Sequence, residues 1–290
     1  MEKNMIKTVS KIIITGLLFF SCGNKEVNAE TPDKQKSADS NVVVRAVGDN
    51  PVPYEDNGVK TIHVFVALCD NKYQGIVPVP AAIGNGQNHN TNLYWGAAYG
   101  VRTYFKKSGE WKLLTTRTVS DIILERLVFK HAAKDFYLIA DAYDGQYIRQ
   151  CTRDFLNGGS GKLKDTLQLD GKTLGIGGYA SLLAYVGHDG LMDFQLSGAF
   201  ANADNKKRDV IILACYSKRF FGPYLEAANV NPLVWTTHLM APEAYTLHDA
   251  LTGYVGGETN AAIRERAAAA YARYQKCSLK AAKGLLVTGW

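Results

Sequence analysis

Short apolar runs alternate with amphipathic segments along the C-terminal three quarters of the chain. Five of these runs are continuous and rich in β-branched or aromatic residues, as in strands that are buried on both faces. They cover residues 61–68, 135–140, 181–186, 210–214 and 232–237. Apolar residues at helical spacing predict helices over about 91–107, 145–157, 221–228, 244–255 and 263–274. We therefore expect an α/β fold, in which a mainly parallel sheet is flanked by helices on both faces.

The segments between these elements are polar or rich in glycine. Residues 70–92 contain many Gly, Asn and Pro residues and indicate a long loop, which either covers a cleft or is only a surface loop. A short strand is expected at 111–116, and residues 122–129 are compatible with helix or strand. The glycines of 158–161 predict a turn.

The first residues have the pattern of an export signal. Lysines precede an apolar run at 12–20 that is too short to span a bilayer. The run ends in Ser21-Cys22, which resembles the lipobox of bacterial lipoproteins, although Phe19 stands where that pattern prefers Leu. The resemblance implies that Cys22 is acylated, for example with palmitate, and anchors the protein to a membrane of the bacterial cell envelope. The alternative is an ordinary secretory signal with an incidental cysteine.

These features divide the chain into three parts. Residues 1–22 are predicted to be the signal peptide, and the polar, proline-containing stretch 23–60 a flexible tether. Residues 61–290 form the predicted folded domain. Exported to the periplasm or the cell surface, this domain would be held at the membrane by the lipid on Cys22.

Composition and charge narrow the function classes. The 290 residues are 47% hydrophobic and 21% charged, which excludes a wholly disordered chain. The net charge of +6 is mild, and the densest basic run, 206–208, is typical of a solvated loop, so no nucleic-acid partner is expected. The five cysteines contain no CxxC pair, so we expect no zinc ribbon, and no motif indicates another metal or a cofactor.

Candidate chemistry follows from the position of reactive residues after the apolar runs. In open α/β sheets, ligands bind beyond the carboxyl ends of the strands. His188 follows one run and Cys215 the next, and these two residue types form thiolate–imidazole pairs. Cys215 also lies at a strand-to-helix transition, where a helix N-terminus stabilises a thiolate. We expect the two side chains to face each other, with backbone N–H groups near Gly190 and Cys215 forming an oxyanion hole.

The local sequences support a family resemblance. Gly-His-Asp-Gly at 187–190 and Ala-Cys-Tyr-Ser at 214–217 resemble the catalytic core of caspase-like cysteine peptidases (clan CD), which include caspases, legumains, gingipains and clostripain. In that family the histidine precedes the cysteine, and each follows one of two adjacent parallel strands. In this chain Asp189 stands directly after the histidine, where the family has glycine.

The resemblance implies a caspase-like three-layer sandwich and a cysteine endopeptidase that needs no cofactor and cleaves a peptide or protein substrate. His188 then matches the acid–base residue, Cys215 the nucleophile and Gly190 the oxyanion-hole glycine. Asp141, Asp144 and Asp189 are candidate substrate-binding residues that would attract a basic side chain.

Two alternatives stay open. One is a non-catalytic cell-surface binding module on the same fold, for which the 16 tyrosines and 11 phenylalanines would be suitable contact residues. The other is an amidohydrolase in which Cys215 pairs with His238, assisted by Glu243. The absence of a G-x-C-x-G motif around Cys215 weakens this second alternative. The cysteines at 69, 151 and 277 are interpreted as structural, and their disulfide state is not predicted.

Overall fold

The structure is a computed structural model that describes Tyr54 and residues 58–290. The predicted signal peptide, Cys22 and most of the predicted tether lie outside the described residues. The strands are β1 (Lys60–Ala67), β2 (Trp111–Arg117), β3 (Ile123–His131), β4 (Phe136–Tyr143), β5 (Lys164–Leu169), β6 (Lys172–Gly177), β7 (Leu182–Val186), β8 (Asp209–Leu213), β9 (Asn231–Thr236) and β10 (Leu286–Val287). The helices are α1 (Val101–Lys107), α2 (Ile148–Gly159), α3 (Ser217–Ala228), α4 (Ala244–Val255), α5 (Asn260–Gln275) and α6 (Leu279–Leu285).

Eight of these strands form one mixed sheet in the order β10-β9-β8-β7-β1-β4-β3-β2. The five central strands, from β9 to β4, are parallel, whereas β10, β3 and β2 extend the sheet by antiparallel pairing. The expected mainly parallel α/β sheet is therefore confirmed. The strand order reverses between β1 and β7, because the chain crosses from β1 to β4 on one side and from β7 to β8 on the other.

Helices cover both faces of the sheet, as expected. One face packs against α1, α4, α5 and α6, and the other packs against α2 and α3. The central strand β1 is buried from its second residue to its last, which explains its continuous run of apolar side chains. Each such side chain contributes roughly 1.5–3 kcal/mol to stability through burial.

Two local predictions are wrong, and one open alternative is resolved. The helix expected over 91–107 begins only at Val101, because Asn92 organises the preceding residues into turns in which its carbonyl accepts the N–H groups of residues 95–97. Gly158 and Gly159 belong to the end of α2 rather than to a turn. The ambiguous segment 122–129 is strand β3.

The hairpin β5–β6 was not expected from the periodicity. It forms a separate two-stranded sheet that packs Leu167, Leu174 and Ile176 against β3 and β4. Its turn has positive φ at both Asp170 (49°) and Gly171 (75°), which is the geometry that favours an Asp-Gly dipeptide.

Candidate active site

The pairing of β7 with β8 sets the relative positions of His188 and Cys215. Val186 is paired with Leu213 at the carboxyl ends of the two parallel strands. Gly187 N donates to Leu213 O at 3.2 Å, which carries the pairing one residue further. His188 and Cys215 each follow the paired residues by two positions, so the fold brings both to neighbouring strand ends on one edge of the sheet.

The turn that carries Cys215 is held tightly against β9. Tyr216 has a left-handed backbone conformation with φ 49°, which is unusual for a residue with a side chain. Ser217 N donates to Thr236 Oγ1 at 3.0 Å, and Ser217 Oγ donates to Ile212 O at 3.2 Å. Thr236 Oγ1 donates in turn to Ala214 O. These bonds compensate for the strained turn and hold the backbone of Cys215 in position.

The Cys215 thiol is partly buried and contacts the backbone of Met240. Met240 N donates to Sγ at 3.4 Å, and Sγ lies 3.6 Å from Met240 O as a donor. Burial raises the pKa of Cys215; the Met240 N–H opposes this rise and the carboxylate of Asp189 adds to it. The expected lowering of the pKa by α3 is not found, because the helix begins only at Ser217 and desolvation dominates.

The His188 ring is buried and bonded to a carboxylate. Its Nε2 lies 2.7 Å from Asp193 Oδ2, which also accepts from Gly75 N at 3.0 Å. Burial alone would raise the pKa of Asp193, but the bond from His188, the charge of that ring and the Gly75 N–H lower it instead. An ionised Asp193 accepts a hydrogen bond from Nε2–H of His188. The other ring nitrogen, Nδ1, is then unprotonated and can accept a proton. Among the hydrogen bonds of the described residues, none joins His188 to Cys215, so their side-chain pairing stays a prediction.

Asp193 as the partner of His188 is a role that the sequence analysis missed. The two residues are separated by a short 3₁₀ turn, Gly190–Met192, that returns the chain toward the histidine. A carboxylate five residues after a histidine has no recognisable periodicity in a helix or a strand. Only the turn between them brings the two side chains together.

Gly190 opens that turn at a position where a larger residue does not fit. A Cβ atom there would lie 2.6 Å from the Phe194 ring. In the part of the chain that the structure describes, no hydrogen bond uses the Gly190 N–H as donor. This amide is therefore free to donate to a negatively charged oxygen at the edge of the sheet.

Asp189 is fully buried beside this turn and only half of its carboxylate is bonded. Oδ1 accepts from Leu191 N at 3.0 Å, whereas Oδ2 has no partner among the described residues. Burial raises the pKa of Asp189 to about 7; the Leu191 N–H opposes this rise and the charge of Asp193 adds to it. A buried carboxyl group with one free oxygen next to a thiol is common at functional sites.

Asp141 is not available to a substrate. It lies within β4 rather than after it, is 1% exposed, and is held by Arg126, whose Nε and Nη2 donate to the two carboxylate oxygens at 2.6 and 2.7 Å. His63 Nε2 lies 3.0 Å from Oδ2. Burial opposes ionisation, but Arg126 outweighs it and lowers the pKa of Asp141 well below its usual range. The expectation of a substrate-binding role is therefore wrong, and the carboxylate is part of the core.

Asp144 is at the carboxyl edge, but its carboxylate is already engaged in hydrogen bonds within the protein. It caps the 3₁₀ turn Gly145–Tyr147 by accepting from Gln146 N at 2.8 Å. Gln87 Nε2 donates to Asp144 Oδ1 at 2.6 Å and to Asp70 Oδ2 at 2.8 Å. The amide thus bridges two carboxylates that follow β1 and β4.

The segment 70–92 that carries Gln87 is tied to the end of β1. Cys69 N donates to Asn92 Oδ1 at 3.0 Å, and Asn92 Nδ2 donates to Cys69 O at 2.8 Å. Gln74 Nε2 donates to Leu68 O at 2.7 Å. The segment therefore forms an ordered cover over the carboxyl ends of β1 and β4.

His238 and Glu243 are not connected to each other. His238 is exposed, and its Nδ1 lies 2.8 Å from Thr237 Oγ1. Glu243 Oε2 accepts from Tyr245 OH at 2.7 Å and from Gln275 Nε2 at 3.1 Å. The backbone of His238 is near Cys215, since Tyr216 N donates to His238 O at 3.0 Å, but no contact among the described residues forms the alternative triad.

The other described cysteines are free thiols. Cys69 and Cys151 are buried, and Cys277 is partly exposed. Burial raises the pKa of Cys69 to about 11, which makes it a poor nucleophile. Among the described residues, no group of three or more His, Cys, Asp or Glu side chains could hold a metal ion. Within the same residues, no helix is both long and apolar enough to cross a bilayer.

Comparison with known proteins adds no relatives. No protein-family model matches the sequence, and neither a curated protein nor a solved structure is significantly similar to the chain. The site must therefore be interpreted from its own residues.

Proposed function

We propose that the chain is an exported, lipid-anchored cysteine peptidase of the caspase-like type, with Cys215 as nucleophile and His188 as general acid and base. The observation that carries the proposal is the equal register of these residues at the carboxyl ends of β7 and β8. The end of β7 lies at the β1–β7 boundary and that of β8 one strand further, and open α/β sheets bind ligands where the strand order reverses in this way. The observed sheet, with helices on both faces, is compatible with a caspase-like sandwich.

The protonation states of Cys215 and His188 indicate how the proton moves in the first step of the reaction. Because burial keeps the Cys215 thiol protonated at rest, the proton must leave as the sulfur attacks the substrate carbonyl carbon. His188 Nδ1 accepts this proton, since Asp193 holds Nε2–H. The imidazolium then protonates the leaving amine as the carbon–nitrogen bond breaks, and an acyl-enzyme remains.

The second half of the reaction uses the same groups. Water attacks the thioester carbonyl carbon, and His188 takes its proton as general base. Collapse of the tetrahedral intermediate then expels the Cys215 sulfur, which regains a proton from His188. In both halves negative charge develops on the carbonyl oxygen, and the free Gly190 N–H is the donor that would stabilise it.

The carboxylates at this edge favour a basic side chain in the substrate. Asp189 has a free buried oxygen, Asp193 is partly exposed, and Asp70 and Asp144 lie after the neighbouring strands. Asp193, whose side chain is one third exposed, is the carboxylate that would attract a cationic side chain, whereas Asp189 is as buried as Asp141 and is not accessible to a substrate. A fluorogenic peptide library with Arg, Lys, Asn or Asp before the scissile bond tests this; preference for Asp would contradict it.

Covalent labelling tests the nucleophile. A peptidyl acyloxymethyl ketone with Arg in the last position should alkylate Cys215 in the full chain, and Cys215→Ala should abolish the labelling. Cys277→Ala is the matched control, because Cys277 is also a partly exposed free thiol but lies between α5 and α6 rather than after a strand of the sheet. A folded chain that no such probe labels at Cys215 would favour the non-catalytic binding module.

The lipid anchor has its own test, because Cys22 lies outside the described residues. Growth of an expressing bacterium with labelled palmitate should label the chain, and Cys22→Ser should remove the label. Equal labelling of both chains would leave only an ordinary export signal.

A further inference from the structure

The amino ends of the central strands carry a depression with a basic rim. It has a volume of about 320 Å³ and lies where β1, β7 and β8 begin. Its lining includes the exposed side chains of Lys60, Lys206 and Lys207. A second groove lies beside α1 and α4, and neither depression is at the carboxyl edge that holds Cys215.

Two of the described acidic residues, Asp204 beside this depression and Asp135 before β4, are paired with other cations. Asp204 binds Arg208, whose Nη2 lies 2.5 Å from Oδ2, and also Lys164 at 2.7 Å. Asp135 binds Lys130 at 2.7 Å. Among the described residues, no carboxylate forms an ion pair with Lys60, Lys206 or Lys207.

Hydrogen bonds from buried or partly buried side chains hold the loop that carries Lys206 and Lys207. Arg208 is 3% exposed and donates to Gly178 O at 2.8 Å from Nε and to Lys206 O at 3.1 Å from Nη1. Asn202 Nδ2 also donates to Lys206 O at 2.8 Å. The backbone of Lys206 is thus anchored from two sides, which fixes where the exposed side chains of Lys206 and Lys207 leave the loop.

The first described residues of the chain lie beside this basic surface, on the side from which the segment that follows Cys22 enters the domain. Tyr54, Gly58 and Val59, the first described residues, line the same depression. About 30 residues separate Tyr54 from Cys22 along the sequence. A chain anchored through Cys22 therefore approaches the domain at its basic edge.

We infer that the amino edge of the sheet, formed by Lys60, Lys206 and Lys207, is a membrane-contacting surface that binds the headgroups of anionic phospholipids. The inference rests on the proposed lipid anchor. The acyl group on Cys22 would attach the protein to the membrane first, and the lysines would add a second, electrostatic attachment. In this orientation Cys215 and His188 lie at the opposite ends of the same strands. The active edge then faces away from the bilayer, toward substrates in the surrounding medium.

Vesicle binding tests the surface separately from the anchor and from catalysis. The probe is two types of vesicle, one of phosphatidylcholine alone and one that also contains about 30 mol% phosphatidylglycerol, as in an anionic membrane. The protein is the full chain carrying Cys22→Ser, so that no acyl group contributes to binding. The pure phosphatidylcholine vesicles measure the contribution of the apolar N-terminus. Because no peptide substrate is present, the result does not depend on whether Cys215 is a nucleophile.

Two double variants with the same charge change give the decisive comparison. Lys206→Glu with Lys207→Glu should weaken binding to the anionic vesicles by about tenfold or more. Lys276→Glu with Lys280→Glu makes the same charge change at exposed positions just after α5 and within α6, at the end of the molecule where Gln275 contacts Glu243 after β9, and should weaken binding by less than about threefold. Equal losses in both double variants, or equal binding to the two vesicle types, would overturn the inference.

Discussion

At the carboxyl ends of β1, β7 and β8 most polar side chains are largely buried and hydrogen-bonded within the protein, whereas at the amino ends Lys60, Lys206 and Lys207 are exposed to solvent. The carboxyl edge combines a thiol, an imidazole and several carboxylates, of which Asp70, Asp144 and Asp189 are less than one-tenth exposed. The strands between the two edges have five to eight residues, so the edges are roughly 15–25 Å apart.

This difference follows from parallel pairing. In a parallel sheet every residue that follows a strand reaches the same edge, and every residue that precedes one reaches the other. Reactive groups from distant parts of the sequence therefore collect on one side. The same topology delivers Lys60 and Lys206 to the opposite side, so a single sheet separates a candidate reaction site from a candidate membrane contact.

The largest expected effect concerns the carboxyl edge. His188→Ala should lower kcat/KM for a fluorogenic peptide by about 100-fold or more, because the thiol loses the base that accepts its proton. His238→Ala is the matched control and should change the rate by less than about twofold, since that ring is exposed and bonded to Thr237. The reverse order of effects would support the Cys215–His238 amidohydrolase.

The next effect is on stability and concerns Asp141, which is buried and fully paired. Asp141→Asn should lower the free energy of unfolding by about 3–5 kcal/mol at pH 7, because Arg126 becomes a buried cation without its partner. Urea denaturation measures the change. Since the folded-state pKa of Asp141 is lowered, its contribution is present above the ordinary pKa and is lost as the pH falls through the folded value. A difference that grows at acid pH would contradict this assignment.

Asp189 should behave in the opposite way. Its pKa of about 7 exceeds the ordinary value of 3.8, so the folded state binds the proton more tightly and stability falls as the pH rises from about 4 to 7. Asp189→Asn should therefore stabilise the protein by about 1–3 kcal/mol at pH 8, with little difference at pH 4. Thermal unfolding at the two pH values measures this. A destabilised variant at pH 8 would show that the ionised carboxylate is paired.

The smallest effect compares one substitution at the two edges. Thr236 Oγ1 bonds to the turn that holds Cys215, and Thr61 Oγ1 donates to Gly175 O at 2.5 Å near the amino edge. Replacement of either threonine by valine should cost about 1–2 kcal/mol of stability, because a buried partner loses its hydrogen bond. Only Thr236→Val should also slow peptide hydrolysis, by several-fold. Equal rates in the two variants would show that the turn does not position the nucleophile.

Long apolar runs and helical periodicity were sufficient to predict the α/β class and the five parallel strands. The runs at 61–68 and 181–186 are readable because strands buried on both faces tolerate few polar residues. The hairpin β5–β6 had a local signal as well, namely Asp170-Gly171 between alternating residues, which the periodicity analysis did not use.

The helix expected at 91–107 shows where periodicity fails. Leu93 and Ala97 have helical spacing, yet Asn92 uses its side chain to bond the backbone of Cys69, which lies just after β1. That tertiary bond fixes the preceding turns and delays the helix to Val101. A one-dimensional pattern contains no information on such a partner.

The sequence by itself determined which residues follow the strands, and thereby nominated His188 and Cys215. Only the tertiary structure decided which carboxylates are available and how the thiol is protonated. Asp141 and Asp189 both come after an apolar run in the sequence. In the structure, however, Asp141 is paired with Arg126, whereas one carboxylate oxygen of Asp189 has no partner among the described residues. The reason is physical: ionisation depends on desolvation and on charges a few ångströms away, and those neighbours come from segments far apart along the chain.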